Sequence, residues 1–77
     1  MNITEEHLVG AAAGMAQQRS NGFDPDPAVL LLLQAAAAQK SEAERHELAE
    51  RARLRTEGLT EGALEFLRLT IFALGAL

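Results

Sequence analysis

Apolar positions fall along this chain in three blocks separated by turn-forming residues. In the first, Leu8, Ala12, Met15 and Arg19 recur at helical spacing, with Val9 and Ala16 beside them. Thr4 is a suitable N-cap, Glu5 and Glu6 suit the positive end of the helix dipole, and Ile3 is placed to staple onto Leu8. "RSNG" stops the helix, with Gly22 or Asn21 taking the left-handed position, so the first helix is predicted over 5–20.

The second block starts after "FDPDP", a stiff connector in which each residue before a proline is pushed out of the helical region. Asp26 caps the next helix, Pro27 occupies its first position, and Phe23 is expected to tuck into the core. From Pro27 to Ala38, ten of twelve side chains are apolar, so this helix is apolar on every side rather than along one stripe. Gly58 is the next terminator, giving a helix over 27–57, about 45 Å long. A globule of this chain length is only about 30 Å across, so an unbroken helix overhangs its own domain. Ser41 and Glu44 form an S-x-x-E capping box at which it can break. The strong helix formers around Ser41 favour continuity, with the protruding half meeting a second chain.

The third block repeats the start signal: Thr60 caps, Glu61 lies in the first turn, and Leu59 can staple onto Leu64, for a helix over 61–75. At 100° per residue, Glu61, Glu65 and Arg68 share a narrow arc, on which Phe72 also falls. Leu64, Phe66, Leu67, Leu69, Ile71 and Leu74 cover more than half of the remaining circumference. No strand pattern appears. The expected fold is all-α: an antiparallel three-helix bundle, or four helices if the second breaks at Ser41, in a single domain over 1–77.

Composition sharpens this picture. Seventy-seven residues without cysteine have no disulfide or thiolate staple, which leaves helix packing or oligomerisation to stabilise a small core. Fifteen alanines stand against twenty-two Val, Ile, Leu, Met and Phe, so helix propensity is high while buried area per residue is low. In a three-helix arrangement each helix has two neighbours, and the all-apolar second helix then exposes a patch of the kind that marks an interface. The expected assembly is a homodimer whose shared core is Leu30, Leu31, Leu32, Leu33, Leu67, Ile71 and Leu74. The later seam of Ser41, Arg45, Leu48, Ala52 and Thr56 suits pairing with another helix, such as an antiparallel copy with Arg45 setting register through an acidic partner, and an exposed charged helix is the simpler alternative for this half.

A net charge of −4 disfavours nucleic acid and anionic membrane as partners. The acidic start is unlike a secretory signal, and the apolar run "LTIFALGAL" is nine residues, too short to span a bilayer, so a cytoplasmic location is expected. Candidate chemistry is sparse. "ERHELAE" lacks the second histidine of H-E-x-x-H, because Ala49 stands in that place. Glu42, His46 and Glu50 share a face that could hold a divalent ion only with outside help, and the simpler reading is a solvated face. "RARLR" sits in a stretch, 40–57, with five positive and five negative side chains. Glu47–Arg51, Glu42–Arg45 and Glu50–Arg53 are spaced for helix ion pairs. Gly10 and Gly14 form G-x-x-x-G, which points to another backbone approaching that face or to plain tolerance of glycine, and His7 is expected to be exposed.

No enzyme and no cofactor is expected. The sequence points to a small interaction protein that binds another protein as adaptor, regulator or inhibitor, using Arg45, Arg51, Arg53, Arg55 and an exposed Phe72. The alternative is a nucleic-acid-linked dimeric regulator presenting Arg51, Arg53 and Arg55.

Overall fold

The four cap signals of the sequence all form. In a computed structural model that describes residues 4–72, α1 (Glu5–Ser20) starts where the Thr4 hydroxyl accepts a hydrogen bond from the His7 amide. It ends in a Schellman motif: the Phe23 amide donates to the Gln18 carbonyl and the Gly22 amide to the Arg19 carbonyl, with Gly22 at φ +87°. Asp26 accepts from the Ala28 amide at 2.9 Å and opens α2 (Pro27–Ala38). Thr60 accepts from the Ala63 amide and opens α4 (Glu61–Glu65).

The expected continuous helix over 27–57 does not form. α2 ends at Ala38, and α3 (Glu42–Leu54) begins after Ser41, whose side chain and backbone exchange hydrogen bonds with Glu44 at 3.2 Å each. The reciprocal box satisfies two donors that an interrupted helix would otherwise leave open. Size supplies the second reason. The radius of gyration is 11.2 Å and the longest extent 29 Å, shorter than an unbroken helix of about 45 Å. Folding the chain back at 39–41 lets α3 bury Leu48, Ala49 and Ala52 in the chain's own core. Leu48 and Ala52 of the seam read as suited to another helix are thus buried within this molecule, while Ser41 stays exposed.

α1 packs against α2, α3, α4 and the segment that follows α4. It buries Leu8, Val9, Ala12, Ala13, Met15 and Ala16, an arc wider than the single face its sequence suggests. Alanines on α1 and on α3 let helix axes approach closely, which suits a chain with few large side chains. Two hydrogen bonds to uncharged acceptors are among those that tie distant elements together. The Thr60 amide donates to the Ser20 hydroxyl, joining the end of α1 to the start of α4, and Gln34 Nε2 of α2 donates to the Thr70 carbonyl, both at 2.9 Å.

After α4 the backbone widens into a π-helical segment, Phe66–Ile71. This displaces Phe72. An α-helical projection put Phe72 on the exposed polar arc, yet it is 0% exposed and is the largest fully buried side chain. With i→i+5 bonding each residue advances less than 100°, so six residues accumulate a lag of roughly a quarter-turn. That rotation carries Phe72 from the solvent side to the core beside Leu67 and Ile71. Phe23 goes the other way: expected in the core, it is 66% exposed, because the αL turn at Gly22 directs it outward past the end of α1. Leu74 lies outside the described residues, as do Ile3 and the end of the expected 61–75 helix. Among the described residues there is no strand, and no helix is long and apolar enough to cross a membrane.

Two substitutions separate the core from the caps. Phe72→Ala should cost about 3–5 kcal/mol and unfold most of a protein this small. Ser41→Ala should cost about 1 kcal/mol with the fold retained, both read by chemical denaturation.

Candidate functional site

The arginines of α3 were the sequence's main candidates for contacts, and the structure engages most of them internally. Arg51 reaches across to the first turn of α1, with Nη1 at 3.4 Å from Glu5 Oε2 and Nη2 at 2.5 Å from Glu6 Oε1. Arg55 joins the same Glu6 carboxylate. The expected pairing of Arg51 with Glu47 on its own helix gives way to this inter-helix clamp. Glu50–Arg53 forms as its spacing predicts, with Arg53 Nε at 3.1 Å from both carboxylate oxygens. Arg45 lies on the buried stripe of α3, in line with Leu48, Ala49 and Ala52, and is half-buried. Its Nε is enclosed without a hydrogen-bond partner among the described residues.

These contacts set the local electrostatics. The hydrogen bond and charge of Arg55, followed by Arg51, hold the Glu6 carboxyl below its ordinary value. The Ser41 cap lowers Glu44 in the same way. Glu50 is lowered first by its hydrogen bond from Arg53, with further contributions from the charges of Arg53, Arg68 and His46.

Glu50 stands on the wall of a cavity of about 180 Å³ lined by His46, Ala49, Glu50, Arg53, Leu64, Leu67 and Arg68. It opens where α3 runs beside α4 and the π-helical segment. A carboxylate gripped by a guanidinium fork and kept ionised is a poor proton acceptor, and the lining carries no hydroxyl or thiol nucleophile. His46 also borders a second depression, lined with Glu42, Ala43 and Glu47, which Glu50 does not line. No three His, Cys, Asp or Glu side chains come together as a metal-binding group among the described residues.

The residues proposed from sequence as a shared dimer core divide sharply. Leu33, Leu67 and Ile71 are buried in the chain's own core, and Leu30 packs against it half-buried. Leu31 and Leu32 stay 66% and 62% exposed. Ala28, Ala35 and Ala38 are exposed on the same side of α2, so the outer face of this helix is apolar from end to end. Sequence reasoning named the leucines but not these alanines, whose signal was the three- and four-residue spacing of Ala28 and Ala35 from Leu31 and Leu32, with Ala38 three beyond Ala35. Phe72, the proposed apolar contact, is withdrawn by its burial. At the G-x-x-x-G pair no backbone approaches among the described residues: a methyl group on Gly10 would meet the Arg55 guanidinium at 3.7 Å, and one on Gly14 nothing within 4 Å. His7 is exposed.

In comparison with known proteins, no family model, curated protein or solved structure matches this chain.

The Glu6 clamp predicts an acid dependence. A carboxyl lowered in the folded state contributes stability that is fully present above its unfolded value near 4.5 and is lost as pH falls through the lower folded value. Glu6→Gln should therefore lower the melting temperature at pH 7 in low salt. The difference from the parent should shrink both below pH 4 and in high salt, measured by circular dichroism.

Proposed function

We propose that this protein is a non-catalytic helical interaction module, acting in the cytoplasm as an adaptor, regulator or inhibitor of another protein, and that it works as a homodimer. The observation that carries the reading is the outer face of α2, where Leu31 and Leu32 stand exposed on a twelve-residue helix without one charged side chain. An apolar surface of this kind on a small soluble domain is the usual mark of an association site. Each dimer would remove four such leucines from water, at about 1–2 kcal/mol apiece for the exposed portion.

Engagement of Arg51, Arg53 and Arg55 by Glu5, Glu6 and Glu50 favours a protein partner over nucleic acid. A phosphate backbone would have to displace a carboxylate from each, on a molecule of net charge −4. The surface left for the partner is the charged side of α3 around Glu42, His46 and Glu47, with the adjoining cavity.

Sedimentation at tens of micromolar tests the dimer. The parent chain should sediment near twice its 8.3 kDa mass, and Leu32→Asp should sediment as a monomer with its helicity intact, because Leu32 is not part of the chain's own core. A parent chain that remains monomeric would overturn the reading.

A further inference from the structure

The spacing on the outer face of α2 carries more than the presence of an interface. Ala28, Leu31, Ala35 and Ala38 follow one another at intervals of three, four and three, the seam of a two-helix coiled coil, with Leu32 flanking it. The seam holds one large side chain among three small ones: Leu31 near its middle lies four residues from Ala35, and an alanine closes each end. The two ends of the helix differ in charge. Asp24, ion-paired with Arg19 at 3.3 Å, and Asp26 precede α2 and are exposed, while Lys40 follows it and makes no ion pair among the described residues.

Resting on the dimer reading above, we propose that the occupant of this face is a second copy of the same helix, running antiparallel, with the two-fold axis level with Leu33. In that register Leu31 sits over the partner's Ala35 and Ala28 over the partner's Ala38. Each large side chain then meets a small one, which lets the axes approach closely. The acidic end of one helix lies beside Lys40 of the other. A parallel pair would instead stack leucine on leucine and alanine on alanine, and bring the aspartates of both copies together. Like charges brought together in this way oppose association. Self-complementarity of one patch is what a closed two-fold dimer requires.

Because the chain has no cysteine, disulfide trapping reads the register directly. Ala28→Cys and Ala38→Cys are small changes at exposed positions. Oxidation of an equimolar mixture of the two variants should yield the mixed crosslinked dimer, while each variant alone should stay uncrosslinked. In the antiparallel register two copies of residue 28 are separated by about 15 Å along the axis, against a limit of about 7 Å between the α-carbons of a disulfide. Circular dichroism and sedimentation on the reduced variants accompany the trapping. Crosslinking of each variant with itself would overturn the antiparallel register while leaving the dimer in place. A sedimenting dimer that traps in no combination would overturn the α2 seam. Reduced variants and parent that all sediment as monomers would overturn the dimer reading and the register with it.

Discussion

Burial of α1 is the constraint on which the rest of this structure depends. Its Leu8, Val9, Ala12, Ala13, Met15 and Ala16 present an apolar arc that one neighbouring helix cannot cover, and every other helical element packs on it. Much of that arc is alanine. Small side chains bury little area each, so the packing gains its stability from close approach and from the few large groups that fill the space between helices, Phe72 and Leu67 foremost. The polar contacts reinforce the same centre. Glu5 and Glu6 at the start of α1 hold Arg51 and Arg55 of α3, and Ser20 at its end holds the Thr60 amide of α4.

The turn at 39–41 follows from this. A straight continuation of α2 would have carried Leu48, Ala49 and Ala52 out of reach of α1, and the Ser41–Glu44 box makes the interruption inexpensive. Folding α3 back onto α1 has a consequence on the opposite side. Among the described residues α2 packs chiefly on α1 and the π-helical segment, and those contacts occupy the side that carries Leu30, Leu33 and Ala37. A helix apolar all round, with packing on one side alone, retains an apolar outer face. The surface on which the proposed function rests is therefore a product of the same fold-back that completes the core.

The caps were legible because capping is local: an N-cap side chain needs only its own backbone two or three residues on, and Thr4, Asp26, Ser41 and Thr60 each find it. The pairing of Glu50 with Arg53 was legible for the same reason, being one helical turn long. The partners of Arg51 and Arg55 were not. They lie more than forty residues away in the chain, on a helix whose position beside α3 is settled only when the core closes. Of the candidate surface, the leucines stood out by composition, but deciding which of the four remain exposed required knowing which side of α2 meets its neighbours.

Local signals alone thus establish an all-helical chain, the starts of three of its four α-helices, and a second helix too apolar to be fully served by local packing. Tertiary structure decided whether the Ser41 box would act as a break, and it exchanged the places of the two phenylalanines. The physical reason is the difference between rules that close within one turn and those that need the whole chain. A projection at a fixed 100° per residue cannot anticipate a π-helical segment, in which Gln34 of a distant helix engages the Thr70 carbonyl and the rotation of the last turn shifts. That shift puts Phe72 in the core, while the left-handed turn at Gly22 leaves Phe23 in solvent.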